Sequence, residues 1–154
     1  MKKLLLYIAG LLAVIFIVIQ FVPSNMPEND SDISDDLLVT EQAPENIKLL
    51  MHQACYDCHS NQTKFPWYAK VAPVSWLLEN DVKEGREELN FSEWATLDAR
   101  KKIKMLSEIG EEVEEKKMPL KIYTVIHTNA ALSAEEIELI NDWTVKLSDQ
   151  IMEN

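Results

Sequence analysis

The stretch Cys55-Tyr56-Asp57-Cys58-His59, CYDCH, contains both cysteines of the 154-residue chain and one of its three histidines. Four chemistries use two thiols at this spacing. A structural zinc site needs four ligands, mostly cysteines. Here the remaining donors are His52, His59 and His127, with no second C-x-x-C and no H-x-x-x-H pair. A thioredoxin-like pair opens a helix that follows a strand, where the helix N-terminus lowers the thiol pKa. CYDCH instead follows an apolar helical pattern. A disulfide across so short a loop constrains the unfolded chain little and gives His59 no task. C-x-x-C-H is also the c-type haem attachment pattern, in which both thiols add to haem vinyl groups and the adjacent His supplies the proximal nitrogen. The haem reading gives His59 a task at this spacing without asking for further ligands of the zinc type; zinc and disulfide stay as alternatives.

Outward from the motif the periodicity is helical. Upstream, Pro44 suits a first turn, and Ile47, Leu50, Met51 and Ala54 share one face that leads into Cys55. Downstream, a helix is predicted from about Pro73 to Leu89 on Val74, Leu77, Leu78, Val82 and Leu89, weakened at Gly85. A third is predicted to start at Ser92 and to carry Ala99, Ile103, Leu106 and Val113 on one face. Ser133 and Glu136 form an S-x-x-E capping box, with Leu132 and Ile137 as its hydrophobic staple, before the stripe Ile140, Trp143, Leu147, Ile151. No long period-2 run occurs, so the fold class is all-α.

A haem iron bound by His59 has a second axial position. Met118, in EKKMPLKIY, follows a helix end and precedes a proline, in a loop able to point a thioether at iron. His127 is the alternative, although a histidine there equally serves a propionate or the backbone. Trp67, Tyr68 and Trp76 cluster after the motif and are candidates for the apolar wall of a haem pocket.

At the N-terminus, Leu4 to Val22 is an uncharged apolar run that as a helix spans ~28 Å, close to the hydrocarbon thickness of a bilayer. A signal peptide has a shorter apolar region and a small-residue cleavage site, and neither feature is present. Residues 1–22 therefore read as an anchor, with Lys2 and Lys3 retained in the cytoplasm and the rest exported to the periplasmic side. Residues 23–43, rich in Pro, Ser, Asn and acidic side chains, read as a flexible tether, which leaves 44–154 as the globular domain. Beyond the span, 13 basic residues face 26 acidic ones, a net of −13, which argues against nucleic acid as a partner.

The blocks CYDCHSNQTKFPWYAKVAPVSWLLENDVKEGREELNFSEW and MPLKIYTVIHTNAALSAEEIELINDW together resemble the small haem-binding domain family of bacterial, often membrane-anchored, cytochrome-c-like proteins. The resemblance runs from about Pro44 to Trp143. It implies a cytochrome-c-like helical fold, one haem c attached through Cys55 and Cys58, His59 as proximal ligand and Met118 as distal ligand. The expected function is electron transfer with an exported or membrane redox partner. The alternative is a haem sensor or small-ligand protein with an open or displaceable distal site; an enzyme is the weaker reading, since no distal acid/base pair is evident.

Overall fold

The computed structural model describes residues 1–153, and among them the regular structure is helical, with no strand. The apolar spacing decides most of it. Helix α1 (Lys2–Ile19) is the N-terminal run, with none of its residues buried against the rest of the chain. After the short α2 (Leu37–Thr40), Ile47, Leu50, Met51 and Ala54 form the buried face of α3 (Glu45–Ala54), and the motif continues as the single turn α4 (Tyr56–His59). Helices α5 (Val74–Glu88), α6 (Ala99–Glu114), α7 (Lys121–Ile126) and α8 (Ala134–Glu153) follow. The most extensive helix pair is α6 against α8, and α4 packs on α5.

The capping box closes as the sequence requires. The Ser133 amide donates to Glu136 Oε2 at 2.8 Å, and the Glu136 amide to Ser133 Oγ at 3.2 Å. Leu132 and Ile137 both pack against the core, and Ile140 and Leu147 are buried in it.

Three expectations need correction. Ser92 does not start the third helix. Phe91–Thr96 is a 3₁₀ segment whose Phe91 and Trp94 plug the core, and α6 begins beyond it, where Asp98 accepts from the Lys101 amide at 2.8 Å. Trp94 then joins distant elements, because its indole donates to Glu41 at 2.7 Å and Lys102 donates to the same carboxylate at 3.1 Å. On α5 the buried residues are Ser75, Val82 and Gly85, so Val74 and Leu77 lie outside the buried stripe and are exposed.

The third correction concerns residues 23–43. Their C-terminal part is core: Leu37, Leu38 and Ala43 are buried, and Asp36 is only 2% exposed. Asp36 caps α2 through the Leu38 amide at 2.9 Å and also accepts from Tyr56 Oη at 2.7 Å. Farther upstream the strand of chain is laid along the domain. Arg86 on α5 donates to the Glu28 carbonyl at 2.7 Å and to Asn29 Oδ1 at 3.0 Å, and the Asp30 amide donates to the Asn61 carbonyl at 2.9 Å. Composition marked this segment as solvated, but long-range partners decide its burial.

The end of α6 delivers the Met118 segment. Lys116 adopts φ 56°, in the left-handed region, and the Lys117 amide reaches back to the Glu112 carbonyl at 3.0 Å while the Lys116 amide reaches Val113 at 3.1 Å. This is a Schellman stop occupied by a lysine rather than the glycine it favours. Left-handed backbone costs an ordinary residue ~1–2 kcal/mol, against the ~0.5–1 kcal/mol of extra chain entropy that glycine loses on folding. Lys116→Gly is therefore expected to raise the urea midpoint by a stabilisation of about 0.5–1 kcal/mol. A lowered midpoint would contradict the assigned cap.

Candidate functional site

Cys55 is the joint between α3 and α4, with φ −126° and ψ −42° outside helical values. The turn that follows is fixed by its own backbone, since the Cys58 and His59 amides both donate to the Cys55 carbonyl, at 3.2 and 3.0 Å. Each of the two residues between the cysteines is held from a different direction. Tyr56 is buried, stacks on Phe91 with centroids 5.1 Å apart, and donates to Asp36. Asp57 accepts from the Lys64 amide at 3.0 Å and from Tyr123 Oη of α7 at 2.8 Å. The motif is thereby tied to α2 on one side and to the segment after Met118 on the other.

Gly85 allows α4 its position. A β-carbon at residue 85 would lie 2.7 Å from the Cys58 carbonyl oxygen and 3.1 Å from its carbonyl carbon. Only a residue without a side chain lets the α5 backbone come this close to the motif.

Next to this contact is a cavity of about 220 Å³ whose lining includes Ala54, Cys58, His59, Leu78, Met118 and Tyr123. His59 Nδ1 lies 3.1 Å from the Leu89 carbonyl oxygen, so it is the protonated nitrogen and donates to that carbonyl. The lone pair is then on Nε2, the arrangement that metal-ligating histidines use. Burial holds the imidazole below its ordinary pKa, which keeps it neutral. Burial also pushes the Cys55 thiol up to about 12 and the Cys58 thiol up to about 11. These are protonated thiols at neutral pH, the reverse of the lowered pKa that marks a redox-active C-x-x-C. Among the described residues no group of three or more His, Cys, Asp or Glu is arranged to hold a metal ion, so the zinc alternative lacks a ligand set.

The donor set suits haem: a thiol, a neutral imidazole and a thioether line one mainly apolar cavity, at a place where a side chain on residue 85 is excluded. Its volume is below the ~300–1,000 Å³ usual for small-molecule pockets, so it admits part of a flat macrocycle rather than enclosing it. The chain matches the model of a family described as haem-binding domain, over residues 14–146. It belongs to that family. No curated protein and no solved structure matches it.

Haem is accordingly the cofactor of this haem-binding domain, and the sequence candidates divide around the cavity. Cys58, His59 and Met118 line it together; Cys55, half-buried, packs against the core beside it. The three aromatic wall candidates stand elsewhere. Trp67 is 81% exposed on a 3₁₀ turn, Trp76 faces Val22 with Nε1 3.4 Å from its carbonyl oxygen, and Tyr68 Oη pairs with His127 Nε2 at 2.5 Å. His127 is thus engaged behind the cavity wall, stacked on Tyr123 with centroids 4.3 Å apart.

The aromatic residue that does line the cavity is Tyr123, which the sequence reading passed over. Its spacing of one helical turn from His127 was the available signal. Asp81, Glu84 and Glu88 of α5 also reach the cavity, and burial, reinforced by Glu84, raises the Asp81 carboxyl above its ordinary range.

Proposed function

We propose that the chain is a membrane-anchored monohaem c-type protein that transfers electrons outside the cytoplasm. Haem would be bound covalently through Cys55 and Cys58, with His59 proximal and Met118 distal. The observation that carries this reading is the convergence of the adjacent Cys58 and His59 with Met118, remote from them in sequence, on one cavity. The bound haem would supply one-electron exchange at iron. The chain's part is to hold and shield it. The Leu89 carbonyl orients His59, the Schellman stop and Pro119 present Met118 outside any helix, and Leu78 and Leu120 keep water from the cavity. A thioether opposite an imidazole raises the potential relative to two imidazoles.

Helix α1 is long and apolar enough to cross a membrane. With Lys2 and Lys3 cytoplasmic, the haem domain would face the periplasmic side and meet an exported or membrane-bound redox protein. The net charge of −13 beyond the span favours a basic or neutral partner over nucleic acid.

The test is optical spectroscopy of the full chain matured with haem. Haem that stays with the polypeptide through denaturation, low-spin bands and a Met-to-iron charge-transfer band are expected. Met118→Ala should abolish that band and lower the potential, while haem stays attached. High-spin iron in the parent, binding carbon monoxide with no ligand displaced, would turn the reading toward a ligand sensor. Haem lost on denaturation would overturn the covalent site.

A further inference from the structure

The junction between α1 and the haem domain is not a loose joint. Ala72 is 3% exposed, and both of its peptide groups are satisfied by one side chain: Gln20 Nε2 donates to the Ala72 carbonyl at 3.0 Å, and the Ala72 amide donates to Gln20 Oε1 at 3.0 Å. Buried peptide groups need partners, so this two-point contact is specific in both distance and direction. Two further contacts continue it along α5. Trp76 Nε1 approaches the Val22 carbonyl, and the Asn25 amide donates to Glu79 at 2.7 Å. The Arg86 contacts to Glu28 and Asn29 then fix the next stretch. The family match begins at residue 14, so it takes in Gln20 and this junction.

The geometry sets a height. Helix α1 has 18 residues and rises ~27 Å, nearly the ~30 Å of a bilayer's hydrocarbon core, so Gln20 stands at the hydrocarbon boundary. Ala72, bonded to it, must lie in the headgroup layer, which is only ~5–8 Å deep on each side. Lys70 lines the same surface depression as Gln20 and is exposed. Trp67 begins the 3₁₀ turn Trp67–Lys70, which ends two residues before Ala72, and is 81% exposed. An exposed ammonium two residues from Ala72 and an exposed indole at the start of the same turn are the residue types that anchor proteins at a membrane interface. Phe21, 82% exposed, adds an aromatic ring at the helix exit.

We propose that the haem domain sits directly on the lipid surface in a fixed orientation, held by the Gln20–Ala72 amide pair, with the Trp67–Lys70 turn in the headgroup layer. This rests on α1 being an anchor. The domain would then present one constant face to a partner in the same membrane, rather than swing through the volume a flexible tether allows.

The test uses the full haem-loaded chain in phosphatidylcholine vesicles, with a nitroxide at Lys70→Cys and, separately, at Glu114→Cys, an exposed site on α6. One spin per chain verifies that only the introduced thiol is labelled. Accessibility to oxygen relative to a water-soluble nickel chelate is expected to be several-fold higher at position 70 than at position 114. Adding Gln20→Ala should lower the ratio at 70 toward that at 114 while carbonate washing leaves the chain in the membrane. Equal ratios at 70 and 114 in carbonate-resistant chain would overturn the proposal and spare the anchor. An unchanged ratio in Gln20→Ala would overturn the part assigned to the amide pair. Chain released by carbonate would overturn the anchor itself.

Discussion

Gly85→Ala is expected to destabilise the domain by about 1–3 kcal/mol, although alanine is the better helix former by ~1 kcal/mol. The competing magnitudes decide the sign. A β-carbon at residue 85 meets the Cys58 carbonyl oxygen at 2.7 Å, whereas ordinary contact begins at 3.4 Å, so α4 must withdraw by the difference, 0.7 Å. The obstacle is backbone within a hydrogen-bonded turn, which cannot rotate away as a side chain can. That displacement moves Cys58 and His59 relative to Met118, and misplacement approaching 1 Å is enough to disable a site that depends on several groups. Haem incorporation should therefore fall in Gly85→Ala, and Gly85→Val should fail to incorporate it. Gly110→Ala is the control. Its β-carbon would approach Asn141 Oδ1 at 3.2 Å, a side-chain oxygen that has no hydrogen-bond partner to hold it. There the helix propensity should win, giving a change between zero and ~1 kcal/mol of stabilisation. Urea unfolding of both variants in detergent, with haem content measured on the same samples, checks the pair. Equal behaviour of the two glycines would refute the account of Gly85.

The contrast also explains what the sequence could disclose. Features that depend on neighbours within a few residues were legible: the buried face of α3, the Ser133–Glu136 box, the motif with its histidine, and a methionine placed just past a helix end. Features that depend on a distant partner were not. Gly85 reads as a weak point in a helix, because propensity carries no trace of α4 passing over it. Trp67, Tyr68 and Trp76 are close in sequence, but a 3₁₀ turn and the start of α5 send them to different surfaces, while Tyr123, much farther along, lines the cavity. Leu37 and Leu38 sit among acidic residues and look solvated until the 3₁₀ segment at Phe91–Thr96 packs over them.

Asp36→Ala should cost about 3–5 kcal/mol, the lost cap and lost hydrogen bonds together, a large share of the ~5–15 kcal/mol that stabilises an ordinary domain. The carboxylate accepts from the Leu38 amide at 2.9 Å, Tyr56 Oη at 2.7 Å and Gln62 Nε2 at 3.2 Å. Loss of the helix cap alone costs ~0.5–2 kcal/mol, and hydrogen bonds to a charged group are worth ~1.5–3 kcal/mol each. The remaining penalty falls on Tyr56. Burial, and then the hydrogen bond to Asp36, push its phenol far above the ordinary range, so it stays a protonated donor; without Asp36 that donor is buried with no acceptor. Tyr56→Phe separates the two contributions. In the Asp36→Ala background it removes the stranded hydroxyl, so the double variant should lose less than the two single losses combined, with a coupling of about 1–2 kcal/mol. Asp36→Asn keeps the cap and one acceptor and should fall between parent and Asp36→Ala. Additive losses would mean that Tyr56 is held by its ring contacts with His52 and Phe91 rather than by its hydroxyl. A confirmed coupling would show that the segment preceding α3, which composition assigns to solvent, fixes Tyr56, one of the two residues between the cysteines, and with it the posture of the CYDCH turn.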